Sequence, residues 1–435
     1  MNIVVLGAGE SGVGAAILAK QKGYTVFVSD FGKIKTAYQA ELNQQDIPYE
    51  EGQHDKPRIK QADLVIKSPG IPDNIPLVIE LKELGIPVIS EIEFAYAFAK
   101  GKIIGITGTN GKTTTTRLTY HLLKAGGLDV VIGGNVGVSF ARNLSKGPSD
   151  FHVLELSSFQ LDGIKEFRPD IAMLLNISPD HLDRYEYKLD LYIESKFRIT
   201  KNQTAANELL YFEEDKNIVT KLNELDIKAR QRAINSKYFV EGHLVIGDLN
   251  FNLDNTALKG KHNALNAAFA IQTALMLGLS PEIIQQALES FENDPHRMEL
   301  VANIDGIQYI NDSKATNVEA VYYALEAMDR PIIWMAGGQD KGNDYTALLP
   351  VVKARVKKLI CLGLDNEKLK ATFENLIQEP IEEARSISEA LSLAQASAKA
   401  GEVVLLSPAC ASFDLFKNYI DRGDQFRAAV LKINN

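Results

Sequence analysis

The chain has 435 residues, of which 45% are apolar and 24% charged, as in an ordinary globular protein. Its 47 basic and 56 acidic residues give a formal net charge of −9, which argues against a broad nucleic-acid-binding surface. No apolar stretch approaches the roughly 18 residues of a membrane span, and the N-terminus lacks a secretory signal, so a cytoplasmic protein without a membrane partner is expected. The two cysteines, Cys361 and Cys410, lack metal or redox spacing and are expected to be reduced.

Short β-branched runs alternate with helical patterns almost from end to end, which predicts repeated βα units with parallel sheets. At roughly 150 residues per domain, the length of the chain predicts about three domains. The alternation of strands and helices falls into three blocks that meet near residues 91 and 294. Residues 203–262 fit less well, and their strand-like runs predict an antiparallel edge. The predicted strands are IVVL (3–6), TVFVS (25–29), DLVIKS (63–68), IPVIS (86–90), KIIGIT (102–107), FHVLEL (151–156), IAMLLNI (171–177), GIQYIND, PIIWMAGG, KKLICLG and EVVLLS.

The first turn of the chain fits a phosphate-binding pattern. GAGESG (7–12) follows the first strand with GxGxxG spacing, and Asp30 lies about 20 residues further on at the end of the second strand, as in a dinucleotide-binding site. The same turn can hold any nucleotide diphosphate, so a nicotinamide-dependent enzyme is only one interpretation.

A second phosphate loop follows the strand at 102–107. The order GTNGKTTTT and then a helix from about Thr113 places Gly108, Gly111 and the helix N-terminus where backbone N–H groups can bind phosphates. Lys112 would neutralise phosphate charge, and the Thr113 hydroxyl would bind Mg²⁺. Because Ile106 stands where the general GxxxxGK[ST] pattern begins with glycine, a glycine-rich turn without a ligand is the alternative.

Three further polar residues follow the loop. Glu155 ends a strand at the same predicted sheet edge, where its carboxylate can bind Mg²⁺ or merely be solvated. His181 follows the next strand, although a lone histidine is more often a capping or packing residue. Lys196 is expected on a helix one turn after Tyr192, and its spacing alone assigns it no chemistry.

Eight motifs together give the chain a resemblance to the Mur ligases of bacterial cell-wall synthesis. The resemblance runs from Gly7 to about Arg422, in matching order and with compatible spacing, and ITGTNGKT is this family's own form of the phosphate loop. DSKATN and SPACAS look most like the member that adds D-glutamate. The eight motifs are GTNGKTTTT, GGNVG, ELSSFQL, NISPDHLDRY, YIESKFRI, PHRME, NDSKATN and SPACASFD.

The resemblance implies an α/β fold of three domains, and a monomer is expected. Residues 1–91 would form a Rossmann-like domain that binds a UDP-linked substrate. Residues 92–294 would form a central P-loop-type mononucleotide-binding domain that holds ATP and two Mg²⁺ ions. Residues 295–435 would form a Rossmann-like C-terminal domain that binds the amino acid.

The resemblance also implies roles for individual residues. One Mg²⁺ would be held by Thr113 and Glu155, and the second by His181 and a carbamylated Lys196, because a neutral amine captures carbon dioxide and becomes an anionic ligand. Lys112 joins Glu155, His181 and Lys196 as catalytic. The other implied contacts are Gly108, Thr109, Asn110, Gly111, Lys112, Thr113, Thr114, Asn266, His296, Arg297 and Asp312 for ATP; Gly9, Ser11, Gly12, Asp30, Ser68, Pro69, Gly70 and Asn135 for the UDP substrate; and Lys314, Thr316, Lys341, Ser412 and Tyr419 for D-glutamate.

One departure from the family pattern concerns the uridine contacts. The family usually has threonine and arginine directly after the acidic residue, whereas this sequence has Phe31 and Gly32 after Asp30.

The implied reaction joins a carboxylate to an amine at the expense of ATP. The carboxylate of UDP-N-acetylmuramoyl-L-alanine would attack the γ-phosphate to give an acyl phosphate and ADP, and the D-glutamate amine would then displace phosphate. The alternatives are a ligase with another acceptor such as L-alanine, a folylpolyglutamate synthetase-like enzyme, a nicotinamide-dependent dehydrogenase based on GAGESG and Asp30 alone, and a catalytically idle nucleotide-binding regulator.

Overall fold

The computed structural model describes residues 1–258, 260–340 and 342–433. The chain forms two compact units, the first made of Met1–Asn252 and Leu265–Ser290 and the second of Leu253–Ala264 and the chain from Phe291 onward. Two parallel sheets lie in the first unit and one largely parallel sheet in the second, so the predicted α/β class with three sheet-based domains is confirmed. The boundaries near residues 91 and 294 stay predictions. None of the helices within the described ranges is long and apolar enough to cross a membrane.

The first sheet contains β1 (Asn2–Leu6), β2 (Thr25–Asp30), β3 (Tyr49–Glu51), β4 (Leu64–Lys67) and β5 (Val88–Ser90), with helices α1 (Glu10–Gln21), α2 (Thr36–Gln44), α3 (Lys56–Ile59), α4 (Pro76–Glu83) and α5 (Glu91–Tyr96). Its strands are parallel in the order β3-β2-β1-β4-β5. Val4 and Val5, neighbours on β1, are both buried because the two faces of the sheet are both covered. Gly12 allows α1 to lie against β1, since a side chain there would overlap the Gly7 carbonyl oxygen.

The second sheet contains β6 (Lys102–Thr107), β7 (Val130–Gly134), β8 (Phe151–Glu155), β9 (Ile171–Leu174), β10 (Glu208–Phe212) and β11 (Arg230–Ile234). All its strands are parallel, in the order β11-β10-β9-β6-β8-β7. The helices of this region are α6 (Lys112–Ala125), α7 (Phe140–Lys146), α8 (Ser158–Asp162), α9 (Leu189–Phe197), α10 (Lys216–Glu224), α11 (Lys261–Met276) and α12 (Pro281–Ser290).

The antiparallel strands predicted within residues 203–262 are confirmed, but their predicted place at the edge of the parallel sheet is wrong. β10 pairs in parallel with β9 inside the second sheet, where Leu209 and Leu210 are both buried. The later runs form a separate antiparallel sheet of β12 (Phe239–Val240), β13 (His243–Ile246) and β14 (Leu249–Asn252). Buried and more exposed residues alternate along β13, as expected of a strand with one solvated face, and such a strand cannot lie within a sheet covered on both sides.

The third sheet contains β15 (Glu299–Ile304), β16 (Ile307–Asn311), β17 (Ile332–Gly337), β18 (Val356–Leu362), β19 (Glu382–Ala384) and β20 (Val403–Ala409). Its order is β15-β16-β20-β17-β18-β19, and only the β15–β16 pair is antiparallel. Cys361 and Cys410 are buried and unpaired. The helices are α13 (Val318–Glu326), α14 (Leu349–Arg355), α15 (Glu367–Phe373), α16 (Ile387–Ser397) and α17 (Tyr419–Ile433).

Charged side chains join the first two sheets where α1 packs against α7. Arg142 Nε lies 2.6 Å from Glu10 Oε1, and the Arg142 guanidinium also pairs with Glu41. Glu91 is buried and accepts a hydrogen bond from Ala141 N at 2.5 Å, while its Oε2 has no partner among the described residues. Burial, with a contribution from the Glu10 charge, raises the pKa of Glu91 to about 8.

We expect Glu91→Gln to remove a pH dependence of stability. The folded pKa of about 8 exceeds the ordinary value of 4.5, so the contribution of Glu91 is fully present below pH 4.5 and is lost as pH rises through 8. The wild type should lose on the order of a few kcal/mol from this group over that range, whereas glutamine stays neutral. Urea unfolding at several pH values measures the effect, with exposed Glu83→Gln as the control. Equal pH slopes in the wild type and Glu91→Gln would contradict it.

Candidate active site

The loop at residues 108–111 lies at the centre of the second sheet. β6 pairs with β8 on one side and with β9 on the other, so the loop begins where the strand order reverses, the usual position of ligand sites in α/β sheets. Gly111 has a φ of +80°, and a side chain there would overlap the amide of Asn266. Glycine is therefore required at the end of the loop, and the predicted ATP contact Asn266 lies directly against it.

Residues after β9 hold this loop in place. Asn176 Oδ1 accepts a hydrogen bond from Asn110 N at 2.7 Å, and Asn176 Nδ2 donates to Asn110 O at 3.1 Å. The Thr109 hydroxyl donates to Ser178 O at 3.1 Å and accepts from Ser178 N at 3.0 Å. Asn176 and Ser178 received no predicted role, although the motif NISPDHLDRY contains both. Their function is to fix the main chain that would contact phosphate.

Two lysine ammonium groups bind one carbonyl oxygen. Lys112 Nζ donates to Gly108 O at 2.8 Å and to Thr109 O at 2.7 Å, while Lys196 Nζ donates to Gly108 O at 2.7 Å. Lys196 is only 1% exposed and lies over the Tyr192 ring, 4.5 Å from its centroid. Burial, and then the charge of Lys112, lower the pKa of Lys196 well below its ordinary value. The Lys196 ammonium therefore loses its proton more easily than that of an ordinary lysine.

Glu155 ends β8 beside this loop, in register with Ile106. Its Oε1 accepts a hydrogen bond from Asn135 Nδ2 at 2.7 Å, but its Oε2 is buried and has no hydrogen-bond partner in the described part of the chain. A buried carboxylate oxygen without a partner is costly unless a cation or a ligand donor reaches it, and Mg²⁺ prefers such oxygens. Glu155 thus fits the predicted Mg²⁺ role. Asn135, predicted to contact the substrate, here orients Glu155.

His181 lies in a turn after β9 with a φ of +53°, a conformation that non-glycine residues seldom adopt. Its ring packs edge-on against Phe159, with centroids 5.3 Å apart. The Arg184 guanidinium lies over the same Phe159 ring at 4.4 Å, and its Nη1 is 3.5 Å from Gly70 O. Phe159 therefore connects the predicted metal residue to a cation that touches the predicted UDP-substrate turn. Arg184 had no predicted role.

A conventional metal cluster is absent from the described residues, which contain no group of three or more His, Cys, Asp or Glu side chains placed to hold an ion. The ligands predicted for Mg²⁺ differ from such a cluster, because they include the Thr113 hydroxyl and a modified Lys196 side chain. Thr113 is half-buried and Thr114 buried in the first turn of α6. The metal assignments stay predictions.

The predicted UDP-substrate turn is held by side chains from two strand ends. Asp30 Oδ2 accepts a hydrogen bond from Ala8 N at 2.6 Å, and Asp30 Oδ1 accepts one from Gly32 N at 2.7 Å. Ser68 Oγ donates to Gly7 O at 3.3 Å. Both Asp30 oxygens thus shape the main chain around the turn. Of the other residues predicted to bind this substrate, Gly9 precedes α1, Ser11 and Gly12 lie in its first turn, and Pro69 and Gly70 follow Ser68.

Asp312 follows β16 in the second compact unit and is buried. Its Oδ2 accepts a hydrogen bond from Ser407 Oγ at 2.9 Å, and its Oδ1 accepts one from Met298 N at 3.2 Å. Burial raises the pKa of Asp312 to about 7, and the positive charges of Arg297 and Arg422 oppose that rise. Asp312 and Arg297, both predicted to contact ATP, are therefore close enough to interact electrostatically.

The structure brings His296, Lys314 and Tyr419 together. Lys314 Nζ lies 3.8 Å from the Tyr419 ring centroid, and the His296 ring stands edge-on to Tyr419 at 6.5 Å. Lys314 N donates to His296 O at 3.1 Å. His296, predicted to contact ATP, thus lies beside Lys314 and Tyr419, which are predicted to hold D-glutamate. Of the other residues predicted for D-glutamate, Thr316 is exposed, Ser412 is buried, and Lys341 lies outside the described residues.

Arg422, which had no predicted role, ties together the loops of this unit. It is 1% exposed, and its Nη2 donates to Ser313 O at 2.9 Å and to Cys410 O at 3.2 Å. Its Nε donates to Ser313 Oγ at 3.0 Å. Burial lowers the pKa of this guanidinium to about 10. The loops carrying Lys314 and Ser412 are therefore fixed by one buried cation.

Three protein-family models match consecutive parts of the chain. The Mur ligase MurD-like N-terminal domain matches residues 1–90, the Mur ligase middle domain matches residues 106–274, and the Mur ligase glutamate ligase domain matches residues 296–410.

Curated relatives match the whole chain. It is 49% identical over 440 residues to the UDP-N-acetylmuramoylalanine–D-glutamate ligase of Christiangramia forsetii, with 99% of both chains covered. It is also 49% identical over 445 residues to the Porphyromonas gingivalis protein of that name, with 99% of both covered. The Bacteroides fragilis protein of the same name is 47% identical over 442 residues, with 99% of this chain and 100% of the relative covered.

Solved structures share the fold at low sequence identity. UDP-N-acetylmuramate-alanine ligase MurC of Thermotoga maritima has a TM-score of 0.63 and 19% identity, with 100% of both chains covered. MurF ligase of Thermotoga maritima, in complex with ADP, has a TM-score of 0.63 and 17% identity, with 94% of this chain and 95% of the other covered. Bifunctional folylpolyglutamate synthase/dihydrofolate synthase of Yersinia pestis has a TM-score of 0.56 and 18% identity, with 79% of this chain and 92% of the other covered.

We expect Arg422→Ala to destabilise the second unit by about 2–4 kcal/mol, because it leaves the carbonyls of Ser313 and Cys410 without their donors and opens a cavity. Arg427→Ala on the same helix should cost under about 1 kcal/mol, since that side chain is 49% exposed and pairs with Glu299 at 3.2 Å. Urea unfolding of both variants measures the difference. Equal losses would show that Arg422 does not hold the loops.

Proposed function

The chain belongs to the Mur ligase family, and we propose that it adds D-glutamate to UDP-N-acetylmuramoyl-L-alanine in peptidoglycan precursor synthesis, with ATP converted to ADP and phosphate. Full-length relatives with 46–49% identity carry the name of this activity. The structural observation that supports the proposal best is the meeting of Lys112 and Lys196 on the Gly108 carbonyl, with the unsatisfied Glu155 carboxylate oxygen at the neighbouring strand end.

In the first step, the substrate carboxylate attacks the γ-phosphorus of ATP. A bond forms between the carboxylate oxygen and phosphorus, the bond to the β–γ bridging oxygen breaks, and an acyl phosphate and ADP result. No side-chain nucleophile is needed, so catalysis depends on positioning and on charge stabilisation. The Lys112 ammonium, which binds two loop carbonyls, is the group that would move to the phosphate oxygens.

In the second step, the uncharged D-glutamate amine attacks the acyl carbon, phosphate leaves from the tetrahedral intermediate, and the nitrogen gives up one proton to water. Lys314 and Tyr419 are in contact, so a cation and an aromatic ring are available together for the amino-acid substrate. Ser412 and Thr316 complete the proposed amino-acid site, and Arg422 fixes the loops that carry Lys314 and Ser412.

Two Mg²⁺ ions are part of the proposal, and they would neutralise charge on the transferring phosphoryl group. Thr113 and Glu155 would hold one ion, a role supported by the buried Glu155 Oε2 that has no partner among the described residues. His181 and a carbamylated Lys196 would hold the other. The lowered pKa of Lys196 supports this modification, since the uncharged amine is the form that bonds to the carbon of carbon dioxide.

Cytoplasmic location and a monomeric state belong to the same proposal. The dehydrogenase alternative is weaker, because both Asp30 oxygens bind main-chain N–H groups and a dehydrogenase leaves the loop at 108–111 without a use. An activity like that of folylpolyglutamate synthase is also compatible with this fold. The two activities differ in the carboxylate and the amino acid that they join, so a substrate panel distinguishes them.

A phosphate-release assay tests the reaction. With ATP, Mg²⁺ and UDP-N-acetylmuramoyl-L-alanine, we expect phosphate only when D-glutamate is added, and not with L-alanine or L-glutamate. Lys112→Ala should lower turnover at least about 100-fold, because a cation on the transferring phosphoryl group is lost, yet retain affinity for the UDP substrate. Lys124→Ala, an exposed site on the same helix, is the control. Release with L-alanine, or wild-type turnover in Lys112→Ala, would refute the assignment.

The carbamate is tested by ¹³C NMR with labelled bicarbonate. We expect a carbamate signal in the wild type that is lost in Lys196→Arg and kept in Lys201→Met, an exposed lysine nearby in sequence. Turnover should fall in carbon-dioxide-free buffer and recover with bicarbonate. A signal that survives Lys196→Arg would assign the modification elsewhere.

A further inference from the structure

The segment that follows β9, residues 176–178, lies between the loop at 108–111 and the first turn of α10. β9 has β6 on one side and β10 on the other. On the β6 side, Asn176 O accepts a hydrogen bond from Thr109 N at 2.9 Å, in addition to the side-chain bonds that Asn176 and Ser178 make with the loop. One side of this segment is therefore committed to the phosphate loop.

The main-chain groups of Ile177 bind on the opposite side, where β10 has already ended. Ile177 N donates a hydrogen bond to Asp215 Oδ2 at 2.7 Å, and Ile177 O accepts one from Asn217 Nδ2 at 2.8 Å. A carboxylate oxygen and an amide N–H thus take the places that the main chain of a neighbouring strand would have. Ile177 is 2% exposed, so water would not freely replace either partner.

The position of these two side chains is set by α10. Asp215 precedes the helix, and its Oδ1 accepts a hydrogen bond from Ile218 N at 3.0 Å. A carboxylate is favoured there, because it satisfies a free N–H of the first turn and lies at the positive end of the helix dipole. Ile218 is completely buried, which holds that first turn against the rest of the domain. The helix therefore orients Asp215 and Asn217 without help from the phosphate loop.

We propose that Asp215 and Asn217 are positioning residues for ATP, an inference that rests on the proposed function because it takes ATP as the ligand of the loop at 108–111. They hold Ile177 in place, and its two neighbours in the chain then hold the loop. The N–H groups of the loop bind phosphate well only when they point at it together. A segment that shifts would leave part of the binding energy to be spent on ordering the loop.

Asn217→Asp is the variant that tests this role most directly. It keeps the size and shape of the side chain but replaces the donor to Ile177 O with an acceptor, while an acidic residue in the first turn of a helix is otherwise favourable. Calorimetric titration of the full-length protein with MgATP, without the UDP substrate, should show about 10-fold weaker binding at an unchanged number of sites, as expected for one lost hydrogen bond. Asn223→Asp, the same change at an exposed position of α10, is the control and should bind ATP as the wild type does.

Substitutions of Asp215 give a second test. Asp215→Ala should weaken ATP binding by a similar factor, whereas Asp215→Asn should bind nearly as the wild type does, because asparagine keeps an acceptor for Ile177 N and is an equally good helix cap. The KM for ATP should rise more than kcat falls. Affinity for UDP should stay within two-fold of the wild type, since Asp30 and Ser68 hold the UDP-substrate turn in another sheet. A variant that was merely less stable would lose binding sites for both ligands and keep its affinity for ATP.

ATP affinity within two-fold of the wild type in Asn217→Asp overturns the inference, and so does an equal loss of affinity for ATP and UDP. A wild type that does not bind ATP overturns both the inference and the proposed function. Weaker ATP binding in Asn217→Asp supports the inference even where phosphate release depends on an amino acid other than D-glutamate. Release that depends on D-glutamate, with unchanged ATP affinity in the variant, leaves the proposed function standing without the inference.

Discussion

The Gly108 carbonyl oxygen accepts hydrogen bonds from two lysines, and this arrangement brings two basic side chains together at the loop at 108–111. Two ammonium groups of like charge share one acceptor, and one of them, Lys196, is almost wholly removed from water. Burial and the neighbouring Lys112 cation both disfavour a charge on Lys196, so the pKa of Lys196 lies well below its ordinary value. The loop therefore places the Lys112 cation beside a lysine that loses its proton more easily than an ordinary one.

The second compact unit also contains a buried basic side chain, but this one stays charged. There the buried cation is Arg422, whose guanidinium keeps its proton and distributes several N–H donors over the main chain of two loops. Asp312, which is also buried, accepts hydrogen bonds from the Ser407 hydroxyl and the Met298 N–H. Loops at the ends of parallel strands have few hydrogen bonds of their own, and these buried side chains supply the missing partners.

Much of this organisation could be predicted from the sequence, because it depends on local patterns. Continuous apolar runs identify strands covered on both faces, and the order of strand, GTNGKTTTT and helix identifies the loop at 108–111. The roles of Asn176, Arg184 and Arg422 could not be predicted, since they arise from contacts between residues distant in sequence, such as the pair Asn110 and Asn176. A basic residue on an amphipathic helix normally indicates a solvated face, and nothing local distinguishes Arg422 from Arg427. The run that forms β10 is predicted among the antiparallel strands for the same reason, because β10 gains its parallel neighbours only in the folded sheet.

The contact between α1 and α7 limits which amino-terminal segments can be joined to the rest of this chain. Gly14 on α1 leaves room for the Ser139 side chain, and Glu10 accepts hydrogen bonds from Ser139 N at 3.0 Å and from Arg142 Nε. The amino-terminal segment is thus matched to a surface some 130 positions later in the chain. In a chimera, a foreign amino-terminal segment would meet a serine and an arginine selected for another partner, so the two surfaces can be exchanged only together.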